Sequence, residues 1–235
     1  MHRFYLPSLP FKGDQLEITE HRIVYQTGKV LRMWKDDFFH VFDREKEWLV
    51  QIEDINKRHL TVRRIKEIEN QAEPKLKVSL YQAIPKKTAL FELIVQKATE
   101  IGVHEIFPLI TERTEKRRIS KHQRLELIAL EATEQCGRMN IPEIRHPVNY
   151  DAIIGKLSNG FIAYEYEGTR HLSNYEKELA AAKEIQVIIG PEGGLSEGEL
   201  ELAKESGIRP FTFGPRILRT ETAAIAALSL IMLNR

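Results

Sequence analysis

Cysteine is nearly absent: Cys136 is the only one in 235 residues. A lone thiol excludes an intramolecular disulfide and favours a reducing compartment. Long apolar runs are absent too. No stretch of about 18 apolar residues occurs, so no segment is expected to span a membrane. The start, Met1-His2-Arg3-Phe4-Tyr5-Leu6-Pro7, has no long apolar core of the kind a secretory signal needs. These features together predict a cytoplasmic protein. Charge of one sign is lacking, with 35 basic and 34 acidic side chains and a net charge of +1. The 8 histidines are scattered, none beside cysteine or another histidine at metal-ligand spacing, so no metal is expected. There is no spaced G-x-G-x-x-G, no Lys-Ser/Thr ending of a phosphate loop and no G-x-S-x-G elbow. Dinucleotide, nucleoside-triphosphate and serine-hydrolase chemistry are therefore poorly supported.

What is present is enough apolar chain for a sizeable core: 42% hydrophobic residues against 29% charged. Residues 75–140 carry 12 basic against 8 acidic side chains, and residues 141–235 carry 10 against 13. The middle of the chain is thus the better face for a polyanion.

The first 70 residues read as short strands: Arg3–Leu6, Phe38–Phe42, Glu47–Ile52 and His59–Val62, with one helical stretch from Glu20 to Leu31. This pattern suggests a small β-barrel-like domain. Glu69–Pro74 is polar and ends in proline, which predicts a linker. Beyond it strands and helices alternate. Lys77–Ala83, His104–Ile110 and Phe161–Tyr164 read as strands. Leu90, Ile94, Ala98 and Ile101 make one helical stripe, stopped by Gly102. A second helix is expected from Ser120, with Ser120 and Gln123 as a capping box, to Gly137. Such alternation predicts an α/β domain with a mostly parallel sheet and helices on both faces.

Two strand–loop–helix segments near the end carry the chemistry. In the first, Val187-Ile188-Ile189 leads into Gly190-Pro191-Glu192-Gly193-Gly194, and Ser196 with Glu199 caps the next helix. In the second, Phe211-Thr212-Phe213 leads into Gly214-Pro215-Arg216-Ile217-Leu218-Arg219, and Thr220 or Thr222 caps an apolar helix from Ala223 to Leu233. Both loops fall at the carboxyl end of a strand, where open α/β sheets bind ligands. Without further information the first is equally a tight turn, and Arg219 is equally a surface ion-pair partner. Arg113, Lys116, Arg117, Arg118, Lys121 and Arg124 form a basic run that suits phosphate or a solvated face. Cys136, with apolar helical neighbours, reads as structural.

These loops, in this order, resemble the SPOUT class of S-adenosylmethionine-dependent RNA methyltransferases. The nearer match is the family of ribosomal RNA small subunit methyltransferase E, which methylates N3 of a uridine in 16S rRNA. The carriers are Gln96–Val103, Thr111-Glu112-Arg113, Glu131–Gln135 with Gly137-Arg138, Ile189–Gly194 with Ser196 and Glu199, and Arg216–Ala223. Arg3-Phe4 and His21 with Val30-Leu31-Arg32 fit its N-terminal part more loosely. Where the family has a Gly-Asp turn, this chain has Asp36-Asp37.

The resemblance implies a PUA-like RNA-binding β-barrel over residues 1–72 and a SPOUT methyltransferase domain with a deep C-terminal trefoil knot over residues 73–235. It implies a homodimer and a 16S rRNA or small-ribosomal-subunit partner. S-adenosylmethionine is expected to contact Tyr164, Glu165, Tyr166, Ile189, Gly190, Glu192, Gly193, Gly194, Phe213, Gly214, Ile217, Leu218, Arg219, Thr222 and Ala223. Arg219 and Glu221 are the expected catalytic pair, Arg219 favouring the uridine anion and Glu221 positioning it or accepting the proton. Arg3, Lys29, Arg32, Arg113, Lys116, Arg117 and Arg118 are the expected RNA contacts. A SPOUT enzyme with another RNA target, or a non-catalytic RNA-binding module, are the competing readings.

Overall fold

The computed structural model describes residues 1–165, 168 and 170–233. The chain forms two compact units, residues 1–73 with 133–140, and residues 74–132 with 141–235.

In chain order the first unit holds β1 (Arg3–Tyr5), β2 (Gln15–Ile18), α1 (His21–Tyr25), β3 (Phe38–Phe42), β4 (Glu47–Ile55) and β5 (Leu60–Ile68). The strands form one sheet in the order β1-β3-β4-β5-β2. All neighbours are antiparallel except β1 and β3. Alternation places Phe39 and Val41, Val50 and Ile52, Leu60 and Val62 on one buried face. The sheet stays open between its edge strands. It is a half-barrel, and strand pairing among the described residues does not complete the β-barrel expected from the sequence. The edge strands β1 and β2 are only 3 and 4 residues long. The predicted helix at 20–31 is α-helical only to Tyr25 and widens to a π-turn over Gln26–Val30. Gly28 and the β-branched Thr27 and Val30 are weak α-helix formers.

The Asp36-Asp37 turn has a clear backbone reason. Asp36 adopts φ +73°, a left-handed conformation that glycine takes freely and aspartate tolerates. Glu69–Pro74 is not a free linker. Asn70 donates to Glu47 and to the Gly137 carbonyl, and Glu73 accepts from Arg138 at 2.7 Å.

Arg3 is the hub of this unit. Its guanidinium grips both Glu47 oxygens at 2.9 Å and donates to the carbonyls of Thr133, Glu134 and Arg138. It also lies 4.3 Å over the Phe42 ring. The donors of Arg3, an expected RNA contact, thus have partners within this unit. Burial alone would raise the Glu47 carboxyl, but hydrogen bonds from Arg3, His40 and Asn70 outweigh it and hold it down at about 2. Glu134 likewise accepts from the Tyr5 N–H and from Arg22.

The second unit continues with β6 (Lys77–Ala83), α2 (Thr88–Ile101), β7 (Glu105–Ile110), α3 (His122–Cys136), β8 (Glu143–Ile144), β9 (Val148–Asn149), α4 (Tyr150–Ile153) and β10 (Gly160–Ala163). Then come α5 (Glu176–Ala181), β11 (Glu184–Ile189), α6 (Glu197–Glu205), β12 (Arg209–Phe211) and α7 (Thr220–Met232). The last turn of α3 falls within the first unit's residues. α3 starts at His122, so Lys121 rather than Ser120 precedes it, one frame later than the predicted capping box.

The sheet runs β12-β10-β11-β6-β7-β8, with β9 also on β7, and every pairing is parallel. Both faces are covered. Val187 and Ile189 of β11 point into a core shared with α2 and α7, and Ile188 points the other way, toward Leu200 and Ala203 of α6. On α2 the stripe Phe91, Ile94, Val95 and Ala98 is buried. Gly102 ends that helix at φ +114°, where a Cβ would sit 2.7 Å from Pro74 and 2.8 Å from Met232. Only glycine closes the turn there.

Candidate active site

Strand number rises from β6 toward β8 on one side of the sheet, and the later strands lie on the other side of β6. The carboxyl ends of β6, β11, β10 and β12 thus border a switch in direction, the usual ligand crevice of open α/β sheets. A cavity of about 500 Å³ lies there. It takes Lys86, Lys87 and Leu90 from the segment after β6, and Tyr164 and Glu165 from the loop after β10. The loop after β11 gives Gly190, Glu192, Gly194 and Leu195. The loop after β12 and the start of α7 give Phe213, Arg216, Ile217, Leu218, Arg219, Thr220, Glu221 and Ala223.

Local chemistry fixes these loops. Ser196 caps α6, its hydroxyl accepting from the Glu199 N–H at 3.3 Å while Glu199 accepts from the Ser196 N–H at 2.9 Å. The same buried Glu199 carboxylate accepts from the Glu112 N–H at 2.8 Å, and the Glu199 carbonyl accepts from the Tyr150 hydroxyl at 2.7 Å. Burial, then the charge of Glu199, pushes the Tyr150 hydroxyl well above its usual range, so it stays a donor. The turn Pro191–Gly194 is closed by a 2.9 Å bond from the Gly194 N–H to the Pro191 carbonyl. Gly194 has φ +71°, and a Cβ on it would lie 2.8 Å from Glu165 Oε1. Glu192 accepts from the Lys86 N–H at 2.9 Å. Lys86 pairs with Glu115 at 2.7 Å, and that bond, with Glu115 and Glu192 charge, raises its pKa.

The start of α7 differs from the sequence reading. Its N-cap is Arg219, with no side-chain cap. Neither Thr220 nor Thr222 caps it. Instead the Thr220 hydroxyl donates to the Gly190 carbonyl at 2.7 Å and accepts from Gln82 Nε2 at 2.9 Å. Gln82 is fully buried on β6, and its Oε1 has no partner among the described residues.

Of the expected cofactor residues, Tyr164, Glu165, Ile189, Gly190, Glu192, Gly194, Phe213, Ile217, Leu218, Arg219 and Ala223 line the cavity. Gly193, Gly214 and Thr222 do not. Gly193 faces Arg113, whose guanidinium donates to its carbonyl at 2.9 Å, and Thr222 is exposed on α7. Tyr166 lies outside the described residues. Arg219 and Glu221 both line the cavity but are not paired, and neither side chain has a hydrogen bond or ion pair among the described residues. Lys116, Arg117 and Arg118 are exposed, as are Lys29 and Arg32 of the first unit.

Sequence reasoning missed Lys86, Lys87 and Leu90. Pro85-Lys86-Lys87 does follow a predicted strand, so the strand-end rule could have flagged it. It drew no notice because it carries no glycine. Thr220 was seen only as a cap, since a hydrogen bond to a residue 30 positions away leaves no local signal. Among the described residues no group of three or more His, Cys, Asp or Glu side chains could hold a metal ion, and no helix is long and apolar enough to cross a membrane.

A parallel α/β sheet with a ligand cavity at its switch point defines a broad class, and comparison narrows it. The family model described as RNA methyltransferase domain matches residues 72–232. Ribosomal RNA small subunit methyltransferase E of Aquifex aeolicus is 31% identical, covering 99% of each chain. Its namesake in Bacillus subtilis is 30% identical over 96% of this chain and 90% of its own. The crystal structure of ribosomal RNA small subunit methyltransferase E from Neisseria gonorrhoeae, bound to S-adenosyl methionine, superposes with a TM-score of 0.89 at 28% identity. That match covers 100% of this chain and 98% of the other. A Legionella pneumophila protein solved with bound SAM is 35% identical, with a TM-score of 0.86 over 99% of this chain and 97% of its own. The chain belongs to the ribosomal RNA small subunit methyltransferase E family.

Proposed function

We propose that the protein transfers a methyl group from S-adenosylmethionine to N3 of a uridine in 16S rRNA of the small ribosomal subunit. The observation that carries the reading is full-length similarity to ribosomal RNA methyltransferases combined with a cavity suited to that cofactor. About 500 Å³ is within the range of small-molecule sites, roughly 300–1,000 Å³. Ile189, Leu195, Leu218 and Ala223 offer apolar walls for a base. Glu165, Glu192 and Glu221 offer carboxylates for a cation. Gly194 lets the Glu165 carboxylate come close to the backbone at a point a Cβ would crowd. Tyr164, Glu165, Gly190, Glu192, Gly194, Ile217 and Leu218 would hold the cofactor, which supplies an activated methyl group when bound.

The protein's own residues bind, orient and manage one proton. Holding the reactants in line contributes up to roughly 7–11 kcal/mol. Arg219, with no anionic partner among the described residues, stabilises the negative charge of a uracil ring that has lost its N3 proton. Glu221, free of Arg219, accepts that proton.

The finer expectations belong to the same proposal. The open half-barrel acts as the PUA-like RNA-binding part. The passage of the chain from β11 over β10 to β12 supports a knotted C-terminus. Exposed Leu93 on α2 and Leu230 on α7 support a homodimer. A ribosomal substrate and a single thiol support a cytoplasmic location.

The test is methyl transfer from labelled S-adenosylmethionine to unmodified small subunits and to free 16S rRNA, with the product nucleoside identified by mass spectrometry. N3-methyluridine at one position is the expected product. A different nucleoside would retain the methyltransferase and reject the uridine assignment. No transfer to either RNA, with S-adenosylmethionine still bound, would reject the substrate.

A further inference from the structure

Trp34 is 73% exposed. The exposed indole presents a large apolar ring face to solvent, beside a polar N–H. The indole stands on fixed backbone. The Trp34 N–H donates to Asp37 Oδ2 at 2.7 Å, and the Asp37 N–H returns to the Trp34 carbonyl at 3.2 Å. The turn is stitched to β4, because the Asp36 N–H donates to the Ile52 carbonyl at 2.8 Å and the Ile52 N–H to the Asp37 carbonyl at 2.9 Å. Two residues before the indole, Arg32 holds φ +54°. A left-handed non-glycine residue costs roughly 1–2 kcal/mol, and such strain collects at binding sites.

Three cations, Lys29, Arg32 and Lys35, and two carboxylates, Asp36 and Asp37, flank Trp34 in the sequence. Lys29, Arg32 and Lys35 are exposed on the same segment. Lys57 and Arg58 follow Ile55, whose Cδ1 lies 3.5 Å from where a Gly28 Cβ would stand. The two carboxylates of the turn are held toward the backbone side of the turn by hydrogen bonds, Asp37 from the Trp34 N–H and Asp36 from Gln51 Nε2 at 3.4 Å, and keep their charge. A protein-binding patch would be depleted in lysine at its centre. An exposed ring among several lysines and an arginine suits a nucleic-acid strand instead, since a base stacks on the ring while cations meet phosphate.

We propose that Trp34 is a stacking platform for one unpaired base of the RNA, with the adjoining phosphates on Arg32, Lys35 and Lys29. The proposal rests on the RNA substrate reading and adds to it a residue that reads the strand through its base rather than its backbone.

The test uses the full-length protein, a fluorescently labelled single-stranded oligouridine and inorganic polyphosphate. Trp34 and Trp48 are the only tryptophans, so the Trp34 signal is the difference between wild type and Trp34→Phe. Oligouridine is expected to quench that signal, and polyphosphate is not. Trp34→Ala should weaken RNA binding at least about fivefold, the low end of one lost base stack, and Trp34→Phe should recover most of it. The slope of affinity against salt should be unchanged in Trp34→Ala, and smaller by about one in Arg32→Ala. RNA binding with full salt dependence but no quenching, and no loss in Trp34→Ala, would overturn the platform and leave the RNA reading standing. No RNA binding at low salt would overturn both. A Trp34→Ala protein that changes oligomeric state while binding RNA normally would reassign the ring to a protein contact and overturn the proposal.

Discussion

The Thr220 hydroxyl donates a 2.7 Å hydrogen bond to the Gly190 carbonyl, joining the first turn of α7 to the glycine loop after β11. Gln82, buried beneath, completes the chain by donating to the same hydroxyl. Arg219 and Glu221 flank Thr220 in sequence, so this bond sets where both catalytic candidates begin. Thr220→Val removes donor and acceptor together and leaves buried polar groups less satisfied, costing about 1–3 kcal/mol. The expected outcome is a lower melting temperature and weaker S-adenosylmethionine binding by calorimetry, with Thr220→Ser close to wild type. Equal melting and affinity in Thr220→Val would show the bond to be idle.

Gly194 and Gly198 make a matched pair. Gly194→Ala forces a side chain into a left-handed backbone and against Glu165, at about 1–2 kcal/mol for the backbone alone. Gly198 lies in α6, where a Cβ would only come within 4.0 Å of Ser196 Oγ. Alanine there should stabilise by roughly 0.5–1 kcal/mol. Calorimetry should show cofactor binding lost or much weakened in Gly194→Ala and intact in Gly198→Ala. Intact binding in both would exclude the glycine loop from the cofactor site.

Arg219→Gln removes a charge from the cavity without disturbing a bond, since the side chain has no partner among the described residues. Methyl transfer should fall by roughly 10²–10³, the usual effect of losing one stabilising donor. Glu221→Gln should slow turnover most at neutral pH and recover partly as pH rises and the uridine loses its own proton. Normal turnover by Arg219→Gln with normal cofactor binding would falsify the arginine role.

Acid should strip the first unit of one specific contribution. The Glu47 carboxyl is held at about 2 in the folded protein against 4.5 unperturbed. A depressed carboxylate stabilises fully above the unfolded value and loses that effect as pH falls from about 4.5 toward 2, to the order of 3 kcal/mol. Glu47→Gln should be destabilised at neutral pH, because the mostly buried Arg3 loses its counter-charge, and should lose less further stability between pH 4.5 and 2 than wild type. Equal acid unfolding profiles would place the acid sensitivity elsewhere.

Much was legible in the sequence because it is local. The stripe on α2, the glycine stop at Gly102 and the Ser196–Glu199 capping box depend on neighbours within one or two helical turns. The glycine-rich stretch 190–194 announced a tight turn at a strand end for the same reason. The ion-pair hub at Arg3 is not legible in the sequence, because its partners, Glu47 and the carbonyls of residues 133–138, lie 44 or more positions away. β12 ends at Phe211 rather than Phe213, since pairing with β10 stops at Ala163 and Thr212 turns away.

By itself the sequence determined the parallel α/β architecture and the two loops that form the crevice, because apolar periodicity, glycine and capping residues act over short range. Only the tertiary structure decided that Lys86, Lys87 and Thr220 share the cavity, that Arg219 and Glu221 are not paired with each other, and that Trp34 remains exposed. Those outcomes depend on which distant strands become neighbours in the sheets, and so on contacts that no window of sequence contains.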